Sequence, residues 1–247
     1  MAARIHWWRP FLTDDPAKMR KLAQQMGISI AAVNTMWVLQ ITDAQTSREL
    51  MVNQKLDVIL KLKIYLQDHH KVVIVDSYGP YVIALTDGMI LEENMREMGD
   101  GFVSLLEKEN YAVRGCIFED LDNTSQARDA YSRMANCFAE LCTVYPQRKI
   151  YSDSDVRYVQ SCIACVRQGE DTVANCLLPI RKLKETTDGD ILIETLCTYL
   201  LDAESNSQRT GTLLYLHKNT VNYRLNKIRS ILKCDLIQMP ATLAVYQ

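Results

Sequence analysis

A chain of 247 residues with 48% hydrophobic and 23% charged residues has an ordinary globular composition and can bury one large core or two smaller ones. With 28 Lys+Arg against 30 Asp+Glu its net charge is −2, which excludes a general basic coat for nucleic acid; a polyanion must be met by a local patch. No apolar run approaches the roughly 18 residues of a membrane span. The start, MAARIHWWRPFLTDDP, has no apolar core or cleavage site. No membrane partner and a cytoplasmic setting are therefore expected.

Residues 1–31 read as a lead-in. Trp7, Trp8 and Phe11 are aromatic enough to pack against something, and Asp14-Asp15-Pro16 opens a helix that Gly27 ends. Strand and helix then alternate. Asn34–Ile41 is a strand, Thr46-Ser47-Arg48-Glu49 has capping-box spacing for a helix reaching Gln67, and Lys71–Val75 with Tyr81–Leu85 forms a hairpin. Glu92–Lys108 is a helix with Met95, Met98, Phe102, Leu105 and Leu106 on one side. Tyr111–Phe118 is a strand, a helix opens at Asn123, and Lys149–Tyr151 is a short edge strand. The order predicts an α+β fold, a ferredoxin-like or palm-like antiparallel sheet with helices on one face.

Beyond Ser152 the pattern is helical. Val156, Val159, Ile163 and Val166 form a stripe, a segment Thr172–Leu178 stops at Pro179, and the polar run Lys184–Asp190 marks a boundary. Ile191, Leu192, Thr195, Leu196, Tyr199 and Leu200 line the next helix. The expected organisation is 1–31 lead-in, 32–155 α/β domain, 156–185 helical connector and 186–247 an all-α domain.

The stretch from Asn206 to Lys233 holds Arg209, Lys218, Arg224, Lys227, Arg229 and Lys233 and no acidic residue. Two helices broken at Leu216-His217-Lys218 make a helix-turn-helix, the second starting at Asn219 or Thr220. Val221, Leu225 and Ile228 dock it on the first, leaving Thr220, Asn222, Tyr223, Arg224 and Lys227 outward, as a helix reading double-stranded DNA requires. Asn222, Tyr223 and Arg224 suit base edges; Lys218, Thr220, Lys227 and Arg209 suit phosphates, and His217 and Asn219 lie at the helix start.

The runs Leu178-Pro179-Ile180, Leu192-Ile193-Glu194-Thr195-Leu196-Cys197-Thr198-Tyr199-Leu200 and Leu216-His217-Lys218-Asn219-Thr220-Val221-Asn222-Tyr223-Arg224-Leu225-Asn226-Lys227-Ile228 resemble the C-terminal domain of PucR/CdaR-type bacterial transcription regulators. In outline, Leu22–Ile41 resembles that family's lead-in to its central domain. The resemblance implies a GGDEF-like central domain and a helix-turn-helix binding DNA; because one such module reaches only a few base pairs, a homodimer is expected. Three departures stand out. Thr210-Gly211 replaces a small residue followed by Ala; the family's N-terminal sensing domain has no counterpart in these residues; and the hairpin reads Asp76-Ser77-Tyr78-Gly79-Pro80-Tyr81, without the double glycine and adjacent acids that hold nucleotide and Mg²⁺.

No enzyme is therefore expected. Asp43, Asp76 and Asp87 near strand ends lack a surrounding signature, and the histidines are dispersed. Neither cofactor nor metal is called for. Cys162-x-x-Cys165 alone has ligand spacing, without a second pair or nearby His, and the eight cysteines read as reduced thiols. The alternative to a DNA-binding regulator is a ligand-sensing or assembly module with a degenerate cyclase-like domain, and a small-molecule effector fits either reading.

Overall fold

The computed structural model describes Gln24 and residues 33–70, 73–87, 95–121, 124–233 and Leu236. The aromatic cluster at Trp7, Trp8 and Phe11, the helix opened by Asp14, and Cys234 lie outside these residues. The described elements are β1 (Val33–Asp43), α1 (Val52–Gln67), β2 (Val73–Tyr78), β3 (Tyr81–Asp87), α2 (Met95–Glu107), β4 (Tyr111–Phe118), α3 (Thr124–Ala135), α4 (Phe138–Val144), β5 (Ile150–Tyr151), α5 (Asp153–Arg167), α6 (Glu170–Lys184), α7 (Gly189–Cys197), α8 (Ser207–Leu213) and α9 (Lys218–Leu232). A π-helical segment, Thr198–Asp202, continues α7. The chain divides into two compact units, Met1–Phe138 with Lys149–Arg157, and Ala139–Arg148 with Tyr158–Gln247.

In the first unit the strand order is β2-β3-β1-β4-β5. The β-α-β-β-α-β run is ferredoxin-like, and its four long strands are antiparallel as expected. β5 runs parallel to β4, so the sheet is mixed. Two helices separate those strands, which gives the crossover length a parallel pair needs. Trp37, Leu39 and Ile41 of β1, Val82 and Ala84 of β3, and Val113 and Ile117 of β4 share one face with Val58, Leu62 and Leu66 of α1 and with Met95, Met98, Phe102 and Leu106 of α2. The opposite face is covered too. Tyr131 of α3 stands edge-on to Tyr78 and Tyr81, with centroids 5.6 and 6.1 Å away, and Ala127, Ala130 and Met134 are buried. Helices therefore lie on both faces rather than one. The cause is legible in β3, whose residues Tyr81–Thr86 are buried without alternation.

Local chemistry explains the differences at element ends. Thr46-Ser47-Arg48-Glu49 does not start α1; the Asp43 carboxylate collects the Gln45 and Thr46 amides at 3.0 and 2.8 Å and folds a turn instead. α1 begins later, where Gln54 Oε1 accepts the Met51 amide at 2.9 Å. The β2–β3 hairpin turns at Gly79-Pro80, with Gly79 at φ +56°.

In the second unit, α6 does not stop at position 179 but runs to Lys184. An internal proline costs a helix about 3 kcal/mol. Ile180 and Leu183, packed with Leu192, Leu196, Tyr199, Leu200, Val221, Leu225 and Ile228, offset it from beyond the break. The polar run after Lys184 is a tight turn: a Cβ on Gly189 would meet Leu183 O at 2.4 Å. Among the described residues, no helix is long and apolar enough to cross a membrane.

Candidate nucleic-acid interface

α8 is capped by Asn206, a residue whose short carbonyl side chain can accept from the first free amides of the helix. Its Oδ1 accepts Gln208 N at 2.9 Å and Arg209 N at 3.0 Å. Buried Thr210 donates to Asn206 O at 2.8 Å. The chain then folds back sharply. Leu216 N donates to Gly211 O at 2.8 Å, and a Cβ on Gly211 would stand 2.6 Å from Leu216 O. Glycine is thus needed for the close approach of the turn, which is what the Thr210-Gly211 departure provides.

α9 starts at Lys218, earlier than Asn219 or Thr220, because His217 caps it: Nδ1 accepts Asn219 N at 3.2 Å. Val221, Leu225 and Ile228 are buried as the spacing predicts. Contacts with α6, α7 and α8 hold the helix in place.

The remaining surface of α9 is polar and carries no carboxylate. Asn219, Tyr223, Asn226 and Ser230 fall at i, i+4, i+7 and i+11 and are all exposed, Tyr223 by 69%. Lys218 and Thr220 are exposed beside them, and Asn222 is half-buried on the flank. Three of the expected contact residues are engaged elsewhere. Arg224 Nη1 donates to Thr195 Oγ1 at 3.1 Å, and the Thr195 hydroxyl donates to Ile191 O at 2.8 Å. Lys227 Nζ pairs with Asp188 at 2.6 Å, and Arg209 Nη1 lies 3.4 Å from Glu204. The Lys227 hydrogen bond holds the Asp188 carboxyl below the usual carboxylate range, and Asp188 in turn raises the Lys227 ammonium.

So the structure groups Lys218, Asn219, Thr220 and Tyr223 on one outer face. It ties Arg224 and Lys227 back onto the α7 side, sets Arg209 at the start of α8, and gives His217 a capping task. Sequence reading missed Asn226 and Ser230, which the same helical period could have found. It also missed Thr195 and Asp188, partners that only folding brings near. Tyr215, exposed in the turn at φ +56°, was missed as well; no spacing rule marks a turn residue.

Between them, α6 and α7 line a groove of about 490 Å³, with Leu177, Ile180, Ile193, Arg181, Lys184 and Asp190 in its walls.

A short capped helix, a tight turn and a longer helix docked by one apolar stripe define a helix-turn-helix domain. Residues 192–246 match the family model described as the PucR C-terminal helix-turn-helix domain. The C-terminal domain is therefore of the PucR type, the domain of a transcriptional regulator, as the motifs at 192–200 and 216–228 imply. Among solved structures, one similar chain is a regulator of polyketide synthase expression from Bifidobacterium adolescentis, 14% identical, with 97% of this chain and 88% of that chain covered at a TM-score of 0.42. A search of curated proteins finds no match.

Proposed function

We propose that the protein is a sequence-specific, double-stranded-DNA-binding transcription regulator that acts as a homodimer and reads the major groove with α9. The observation that carries this reading is the PucR-type helix-turn-helix whose second helix presents an exposed outer face without a carboxylate. Asn219, Tyr223 and Asn226 are assigned to base edges, Asn being suited to the paired donor and acceptor of adenine. Lys218, Thr220 and Ser230 are assigned to phosphates. Arg224 positions α9 against α7, and Lys227 reaches DNA only by leaving Asp188. Asn222 and Arg209 border the contact, and His217 orients the first amides of α9 toward it.

The α/β unit is read as GGDEF-like without cyclase chemistry, since its hairpin loop is Gly79-Pro80 rather than a double glycine beside acids. Its work in this reading is assembly. The α6–α7 groove, apolar with Arg181, Lys184 and Asp190 in its lining, is where a small effector would fit.

Selection of bound duplexes from a random pool, followed by fluorescence anisotropy on the selected sequence, tests the reading. Enrichment of a repeated half-site supports it. A pool that stays random while the protein is folded contradicts it.

A further inference from the structure

Three half-buried cysteines come together where α5 meets α6. Cys162 and Cys165 are three residues apart on α5 and so share a side of that helix. Gln168 and Gly169 alone join α5 to α6. Gly169 takes φ +107°, a conformation that glycine adopts without strain, and a Cβ there would meet nothing within 4 Å. The chain turns at this joint so that Cys176, on the second turn of α6, hydrogen-bonds the Cys165 thiol. Cys162 lies near enough to act on Cys176 through charge.

We propose that Cys165 and Cys176 form an oxidisable dithiol, a modification site at which a peroxide converts the two thiols into a disulfide joining α5 to α6. This goes beyond the DNA-binding reading and does not depend on it.

The pairing is selected by geometry. Residues three apart on a helix hold their Cβ atoms about 5–6 Å apart. A disulfide needs about 3.5–4.5 Å, so a bridge from Cys162 to Cys165 would strain α5. Cys162 also has a neighbour of its own, the Tyr158 side chain, in hydrogen-bond contact with it. Cys116 and Cys137 are buried, away from a dissolved oxidant. Nor do the three sulfurs converge as ligands: among the described residues no group of three or more Cys, His, Asp or Glu is placed to hold a metal ion.

The chemistry balances with the peroxide as oxidant. The Cys165 sulfur gives up its proton and attacks one peroxide oxygen, the O–O bond breaks, and the departing hydroxide takes that proton to become water; a sulfenic acid is left on Cys165. The Cys176 thiol then displaces the sulfenic oxygen, which leaves as a second water while the S–S bond forms. Desolvation first, then the hydrogen bond with Cys165 and the nearby sulfurs, pushes the Cys176 thiol up, which suits the resolving role better than the attacking one. A resolving thiol that gains nothing from a stabilised thiolate also leaves the disulfide hard to reduce. The bridge would fix α6, the helix whose Ile180 and Leu183 pack into the core that seats α9.

The test is peptide mapping of the full chain after hydrogen peroxide, with free thiols alkylated and trypsin used without reductant. Cleavage after Arg157, Arg167 and Arg181 puts Cys162 and Cys165 in one peptide and Cys176 in the next. Wild type should yield these two peptides joined, lighter than their sum by two hydrogen atoms and separated again by dithiothreitol. Cys162→Ser should keep the joined peptide, whereas Cys165→Ser and Cys176→Ser should each abolish it, with circular dichroism showing all three folded. Oxidised wild type should melt at a higher temperature than reduced wild type, because a crosslink that fits restricts the unfolded chain. Wild-type sulfurs that stay as thiols or are oxidised singly, a joined peptide that survives Cys165→Ser, or an oxidised chain that melts lower overturns the proposal.

Discussion

The Arg224 guanidinium donates to the Thr195 hydroxyl at 3.1 Å, joining the reading helix to α7. Thr195 is fully buried, so its oxygen has no water to turn to when the arginine is removed. Hydrogen bonds to charged groups contribute about 1.5–3 kcal/mol, and the lower end applies to this half-buried arginine. Arg224→Ala should therefore destabilise the second unit by about 1–2 kcal/mol in urea, and Thr195→Val by about 1 kcal/mol. A variant with wild-type stability that loses only DNA affinity would return Arg224 to the base-reading set.

Gly211 separates helix propensity from packing. On propensity alone Gly211→Ala should stabilise α8 by up to about 1 kcal/mol. The added Cβ would lie 2.6 Å from Leu216 O, which is backbone and cannot turn aside. Overpacking of that kind costs about 1–3 kcal/mol, so a lower melting temperature is expected. A higher one would show that the turn is looser than this close approach requires.

The Asp188–Lys227 pair sets a pH window. Asp188 titrates below its ordinary 3.8, so its stabilising share is complete above that value and lost as pH falls through the lowered one. Lys227 titrates above 10.5, so its share is complete below that value and lost as pH rises through the raised one. Asp188→Asn should thus lower the melting temperature by an amount constant from about pH 5 to pH 9, shrinking toward pH 2–3 and smaller in high salt. A difference that changes with pH across the neutral range would mean another group titrates against the pair.

Asn206 supplies both early amides of α8 with their acceptor. Asn206→Ala should cost about 1 kcal/mol, read as a shift in the denaturation midpoint with unchanged slope. No shift would mean that water replaces the cap.

Much of this architecture was legible because it depends on local period. The Val221-Leu225-Ile228 stripe and the strand Tyr111–Phe118 follow from spacing alone, as does the helix side Met95-Met98-Phe102-Leu106, although Leu105, expected beside them, is exposed. What failed to show in the sequence depends on distant partners. Pro179 reads as a helix stop until Leu183 is seen in a core built mostly from residues after it. Arg224 and Lys227 look outward-facing until Thr195 and Asp188, 29 and 39 residues away, come beside them. The second covered face of the sheet was hidden for a related reason: a strand buried on both sides loses the alternation that would reveal a face. Arg224 and Lys227 are also residues of the basic stretch whose charged ends meet partners within the fold, which counting charges along the sequence does not reveal.

In the proposed function the neutral face of Asn219, Tyr223 and Asn226 reads the bases. That assignment is tested most directly by anisotropy titrations of Asn219→Ala and Tyr223→Ala on the duplex that wild type selects, with unfolding curves alongside. A loss of about 10- to 100-fold in specific affinity is expected for each, corresponding to about 1–3 kcal/mol per contact, with stability unchanged. Wild-type affinity in both folded variants would contradict it.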